Sequence, residues 1–304
     1  MSRVAFLGTP EAALPTLRSL AAGHDVPLVI TQPDRQKGRG RAITPPPVKI
    51  EADRLGLRAL QPTSAGEVKA VLESAGNLDL AIVVAYGRIL RPEALAVPAN
   101  GMLNLHFSLL PRWRGAAPVN RALMAGDPMT GVTIFRLDEG LDTGPVLTAQ
   151  AVDIGDEETA GELTSRLATV GARLITGAIP QYLDGVLEPV PQSDEGLVYA
   201  SKIEPAERVM RVDGSRVEEV NRVRALSPEP GATLVVDGET DQVLQARPHQ
   251  ATPAPGRWME AGGVPVAGLG DGGVELVTIL PAGKRPMSGE AWLRGLRRSD
   301  GLIG

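Results

Sequence analysis

The sequence predicts an α/β fold in which a mostly parallel sheet with helices on both faces is followed by a small β barrel. Three observations carry this. The chain opens strand–helix–strand, with short apolar runs at residues 3–8 and 26–31, which marks a βαβ unit and hence a parallel sheet. A strand fits 78–85, and its apolar run from Leu80 shows no alternation, as in a strand buried on both faces. After Pro230 the β-like runs at 232–236, 242–246, 264–267 and 274–280 are short and separated by turn residues, the pattern of a small barrel.

The elements follow in order. Thr9 suits the N-cap and Pro10 the N1 position of a first helix that runs to about residue 22. Residues 32–47 carry Gly38, Gly40 and four prolines and read as a loop, of a length that is uncommon without a function. Helices fit 48–55 and 67–75. A strand fits 102–106, a helix 118–125, and strands 132–137 and 146–152. Leu163, Leu167, Val170 and Leu174 mark the apolar face of a helix reaching Leu183. Pro, Gly and acids then dominate up to residue 206. The expected division is a first domain at 1–185, a linker at 186–206 and a second domain at 207–304. Ser215-Arg-Val-Glu218 is a capping-box pattern, and Val217, Val220, Val223 and Leu226 continue it as a helix.

Composition bounds the function. With 304 residues, two domains of about 150 are the natural expectation. Aromatics are 3%, so the core must be aliphatic. There is no Cys, which excludes disulfides, thiolate nucleophiles and Cys-based zinc sites, and agrees with a cytoplasmic home. His24, His106 and His249 are scattered, so no metal is expected. No apolar run approaches the ~20 residues of a membrane helix, and the N-terminus does not read as a signal peptide. The net charge of -5 excludes a uniformly basic surface. Two short windows nevertheless hold +4 each, residues 34–49 and 284–298.

The chemistry concentrates at residues 101–115. Asn104 and His106 are two apart on a strand, so both side chains point to one face near its C-terminal end, where ligands of open α/β sheets bind. Asp142, in a Gly-rich acidic loop, is placed either to partner His106 or as a solvated turn residue, and spacing alone leaves both open. Ser108 invites a serine-hydrolase reading, which the absence of a G-x-S-x-G elbow disfavours. Gly8-Thr9-Pro10, after the first strand, is not a G-x-G-x-x-G fingerprint, and no Walker A sequence occurs.

Asn104-x-His106-x-Ser-Leu-Leu-Pro111, with Asp142 in Asp-x-Gly-x-Asp-Thr-Gly144, resembles the formyltransferases that use 10-formyltetrahydrofolate. Phe6-Leu-Gly-Thr-Pro10, Thr31-Gln-Pro-Asp-Arg35, Gly38-Arg-Gly40, Pro47-Val-Lys49, Ala85-Tyr-Gly87 and Leu280-Pro-Ala-Gly-Lys284 extend the resemblance over nearly the whole chain. It implies a Rossmann-like catalytic domain followed by an OB-like barrel that contributes to tRNA binding. The implied reaction moves a formyl group from 10-formyltetrahydrofolate to the amino group of methionyl initiator tRNA, without a metal or a membrane, in a cytoplasmic monomer. The family's catalytic residues carry over to Asn104, His106 and Asp142, and its folate-binding turn to Ser108, Leu109, Leu110 and Pro111. Its tRNA-reaching insertion carries over to Arg35, Lys37, Arg39, Arg41 and Lys49. Lys284 and Arg285 read either as further phosphate contacts or as an ordinary basic surface. Phe107 stands where the family often has Gly, Gly214 where many relatives have Trp, and Ser227-Pro-Glu-Pro230 where a Trp-containing segment is frequent. Two other functions share much of this pattern: formyl transfer to a nucleotide-linked amino sugar or ribonucleotide amine, and folate or tRNA binding without turnover. The 34–40 pattern and the C-terminal barrel favour tRNA, and the joint presence of Asn104, His106 and Asp142 favours catalysis.

Overall fold

The computed structural model describes residues 1–37, 42–296 and 298–304, with Lys37 and Ala42 placed by their backbones. The chain divides into two compact units, residues 1–115, 130–152 and 164–199 in the first, and 116–129, 153–163 and 200–304 in the second.

In the first unit, β1 (Val4–Gly8) is buried along its whole length. A 3-10 turn at Glu11–Ala13 leads into α1 (Leu14–Gly23). The expected Thr9 cap is not formed. Pro10 is the N-cap residue, and the Thr9 hydroxyl instead donates to Tyr86 O at 2.9 Å. β2 (Val29–Ile30) follows, then β3 (Arg35–Lys37) and β4 (Ala42–Thr44), which pair antiparallel. The arms of the segment read as loop thus satisfy each other's backbone groups, while residues 38–41 lie outside the described residues. α2 (Pro47–Arg54), β5 (Ala59–Leu60), α3 (Glu67–Glu73), β6 (Leu80–Val84), α4 (Pro92–Leu95), β7 (Met102–His106) and β8 (Arg112–Gly115) come next. After α5 (Pro118–Met124), which belongs to the second unit, the chain continues through β9 (Met129–Arg136), β10 (Val146–Asp153) and α6 (Ala160–Leu183).

The main sheet runs β10-β9-β7-β6-β1-β2-β5. It is parallel from β7 across to β5, and β9 is antiparallel to β7. From β1 the chain first builds outward through β2 and β5, then returns to the other side of β1 with β6 and β7. The order therefore reverses between β1 and β6, and an open α/β sheet binds ligands outside the carboxyl ends of its strands at such a point. The core on one face is aliphatic, with Ala5, Leu7, Leu28, Ile30, Ala81, Val83 and Met102 all buried. On α6, a Cβ at Gly171 would fall 2.6 Å from Leu105 Cδ2, so this helix lies directly on β7.

In the segment expected to be a plain linker, β11 (Val198–Ala200) and a 3-10 turn at Pro205–Arg208 are formed. The second unit continues with α7 (Arg216–Leu226), β12 (Ala232–Val236), β13 (Glu239–His249), β14 (Arg257–Ala261), β15 (Val264–Leu269), β16 (Gly272–Leu280), β17 (Met287–Ser288), α8 (Gly289–Leu296) and β18 (Asp300–Leu302). Ser215 caps α7 by accepting from Val217 N, but the box is half made, because Glu218 pairs with Arg211 instead. The antiparallel order is β12-β13-β16-β15-β14-β18, with β17 on β16. A bridge from Val236 to Ile303 joins the two edges, so the sheet curls into an OB-like barrel and leaves little free edge. Register shifts at Val243, Gln245 and Ala246 supply the bend in β13. Trp258 and Trp292 meet edge-on at 5.5 Å inside it, and each indole N–H reaches a carboxylate, Asp237 and Asp241 respectively.

Candidate active site

β7 delivers Asn104 and His106 toward the carboxyl edge of the sheet. His106 is 7% exposed, and its Nε2 lies 2.9 Å from Trp113 O. A carbonyl only accepts, so Nε2 carries a hydrogen and donates, which fixes the ring. Nδ1 then faces Asp142 Oδ2 at 3.8 Å. That is too long for a hydrogen bond. Asp142 Oδ2 in turn accepts from Gly115 N at 2.8 Å. Among the described residues the Asn104 amide and Asp142 Oδ1 make no hydrogen bond. The structure thus brings His106 and Asp142 together and leaves the Asn104 amide unengaged, two positions before His106 on β7.

The backbone around them is strained. Ala85 (φ 47), Trp113 (φ 64) and Asp142 (φ 54) adopt left-handed conformations, which cost on the order of 1–3 kcal/mol each for non-glycine residues. Such strain persists only where surrounding contacts over-determine it, and it clusters at functional sites.

Ser108 is fully buried, and its hydroxyl donates to Arg112 O at 2.6 Å. The hydroxyl is thus committed to the turn rather than to His106. Thr133 on β9, opposite His106 in the ladder, completes the turn: its Oγ1 donates to Ser108 O at 2.7 Å and accepts from Leu110 N at 3.1 Å. Leu109, Leu110 and Pro111 are half-buried, and Phe107 is 9% exposed. Thr133 was not visible from sequence, because its role depends on strand register. Gln192 was missed for a similar reason; its side chain bonds to the carbonyls of Asp142 and Gly144, about fifty residues away in the chain.

At the reversal of strand order lies a cleft of about 560 Å³ lined by Thr9, Pro10, Gln32, Arg35, Thr44 and Ala85, among others. Tyr86 also borders it, and burial pushes its phenol up, so the hydroxyl stays neutral. The candidate tRNA residues differ in their engagement. Arg35 is exposed on β3, while Arg39 and Arg41 lie outside the described residues. Lys49 Nζ is 2.6 Å from Asp53 Oδ1 one turn along α2. Lys284 and Arg285 are exposed in the turn after β16, with no ion pair among the described residues. Arg298 pairs with Asp237 at 2.9 Å, and Arg297 lies outside the described residues.

The formyl transferase family matches residues 2–179, and the formyl transferase C-terminal domain matches residues 202–297. A methionyl-tRNA formyltransferase of Halorhodospira halophila is 45% identical, over 99% of this chain and 98% of the relative. One of a Jannaschia species is 45% identical, over 99% of each. Among solved structures, the N-formyltransferase of Helicobacter canadensis in complex with folinic acid and dTDP-3-aminofucose superposes with a TM-score of 0.70 at 17% identity, over 91% of this chain and 99% of that one. That likeness speaks to the fold. The chain belongs to the formyl transferases, in the family of the methionyl-tRNA formyltransferases.

Proposed function

We infer that this formyl transferase moves a formyl group from 10-formyltetrahydrofolate to the free amino group of methionyl initiator tRNA, and so acts in translation initiation. The observation that carries this is likeness to methionyl-tRNA formyltransferases along 99% of the chain. The grouping of His106 and Asp142 near Asn104 supports it.

The attacking amine must be neutral, and attack at the formyl carbon places negative charge on the formyl oxygen. His106 is held by Nε2–H on Trp113 O, so when the ring is protonated Nδ1–H can donate to that oxygen. The Asn104 amide, also unengaged, is the second donor. Each preorganised donor of this kind lowers a barrier by about 3–4 kcal/mol. The open Oδ1 of Asp142 accepts the proton that the amine gives up and passes it to the departing nitrogen. The new N–C bond replaces the broken one, and no covalent enzyme intermediate is required.

The folate surface in this reading is Leu109, Leu110 and Pro111, with Phe107 behind them. Ser108 holds the turn's shape from inside. Arg35, Lys37, Arg39, Arg41 and Lys49 meet the tRNA acceptor end, and Lys284 and Arg285 meet phosphates from the C-terminal domain. The enzyme works as a cytoplasmic monomer with its catalytic domain at 1–185 and its tRNA-binding barrel at 207–304.

The test is formylation of charged initiator tRNA with 10-formyltetrahydrofolate as donor. Wild type forms formylmethionyl-tRNA. Asn104→Ala, His106→Ala and Asp142→Ala each lose about 10²–10³ in kcat while their circular dichroism is unchanged. Near-normal turnover by His106→Ala overturns the catalytic assignment. Formylation of a nucleotide-linked amino sugar in place of the tRNA overturns the substrate.

A further inference from the structure

A polar node beside the Asp142 loop has no part in the chemistry above. Arg114, on β8, is 5% exposed, and its Nε and Nη2 both donate to Gln192 Oε1, at 2.9 and 2.7 Å. The nitrogen of the same amide donates to Asp142 O at 2.9 Å and to Gly144 O at 2.7 Å. A carboxamide offers two acceptor positions and two donor hydrogens, so every hydrogen-bonding position of Gln192 is filled. The backbone reinforces the placement. Val190 exchanges two hydrogen bonds with Val146, both 2.7 Å, which ties the segment before Gln192 to the strand that leaves the Asp142 loop. At Gly144 a Cβ would lie 1.8 Å from Arg136 O, so the loop turns hard against β9 at the point that Gln192 grips.

Asp142 needs such a restraint. Its φ of 54 is unfavourable for a side-chain-bearing residue, and its carboxylate must stay near His106. Two adjacent residues of β8 hold it from two sides. Gly115 N binds the carboxylate, and Arg114, through Gln192, binds the backbone carbonyl. Gln192 itself shows no hydrogen bond to His106.

We propose that Gln192 is a positioning residue for formyl transfer, fixing the Asp142 loop against Arg114 so that the carboxylate keeps its place beside His106. This rests on the role given to Asp142 above. The amide is chemically specific. A glutamate at this position accepts from Arg114 but has no hydrogens for the two carbonyls, and a methionine fills the space with neither function.

The experiment compares Gln192→Ala, Gln192→Met and Gln192→Glu in the full chain, all checked by thermal unfolding. In steady-state formylation kcat falls by about 10–100-fold in all three, with KM for folate and tRNA little changed. Adding Gln192→Ala to Asp142→Ala produces no further loss, as expected when one residue acts through the other. Hydrogen–deuterium exchange over residues 138–146 becomes faster in the variants. Unchanged kcat in folded Gln192→Ala and Gln192→Met overturns the proposal, as does a full additional loss in the Asp142→Ala background. If wild type does not formylate methionyl-tRNA, the substrate reading falls, and exchange still decides the loop: unchanged rates over 138–146 overturn the positioning role.

Discussion

Glu51, on α2, is a buried acid whose protonation is decided by two arginines. Arg54 Nη2 is 2.6 Å and Arg18 Nε 2.7 Å from its Oε1, and Arg54 Nε is 3.0 Å from Oε2. The Arg54 and Arg18 hydrogen bonds hold the carboxyl down at about 2, from an ordinary 4.5, against the opposing effect of burial. The folded-state value is depressed, so the stabilisation is fully present above about 4.5 and is lost as pH falls toward 2. Glu51→Gln is therefore expected to lower Tm at neutral pH, and the gap from wild type should close across that acid window. A gap independent of pH, measured by thermal unfolding, contradicts the pairing. Both arginines are largely exposed, so solvent keeps the effect modest. Legibility at this scale divides by the kind of contact. Asn104 and His106 stood out because polar groups at a strand end serve no packing purpose, whereas spacing alone left Asp142 open between a partner of His106 and a turn residue. Gln192 did not, because an amide that binds backbone carbonyls leaves no trace in spacing or composition. It lay among prolines and acids that spell linker.

Among the elements, β7 and β12 have the bounds that their apolar patterns predicted, since a buried strand is written by its own residues. β14 was missed: Arg257-Trp-Met-Glu-Ala alternates weakly, and its place is set by β15 and β18 on either side. The Thr9 cap failed because the hydroxyl found a stronger tertiary partner in Tyr86 O. The arms of the 32–47 segment paired with each other, a non-local outcome that its glycines and prolines concealed. A testable element-scale property is the contact of α6 with β7. Gly→Ala inside a helix ordinarily stabilises by about 1 kcal/mol. At Gly171 the added carbon would sit 2.6 and 2.7 Å from the two methyl carbons of Leu105, which lies between Asn104 and His106. Gly171→Ala is therefore expected to destabilise by about 1–3 kcal/mol, as overpacking does, and to lower kcat by shifting β7. Leu105→Ala should relieve part of the strain in the double variant. Chemical denaturation of the two singles and the double checks this, and a stabilised Gly171→Ala contradicts the close approach.

For the molecule as a whole, the question is how a chain of net charge -5 would take the polyanionic substrate proposed for it. Bulk attraction is not available, so affinity must come from local cations that displace counterions from phosphates, and such contacts give binding a log-linear salt dependence. Base stacking is not the route through the barrel, because Trp258 and Trp292 are both buried in its core. The bases themselves fall into two groups. Arg298 is held by Asp237, which also receives the Trp258 indole and Leu302 N, so it serves the barrel's closure. Lys284 and Arg285 are exposed and without ion pairs among the described residues. Measured as log KM for tRNA against log salt, Lys284→Ala and Arg285→Ala should each reduce the slope by about 1, while Tm stays near that of wild type. Arg298→Ala should do the opposite, lowering Tm and leaving the slope unchanged. If the two loop residues leave the slope at its wild-type value, the C-terminal patch is a solvated surface. The tRNA contacts must then be sought among Arg35, Lys37, Arg39, Arg41 and Lys49 alone.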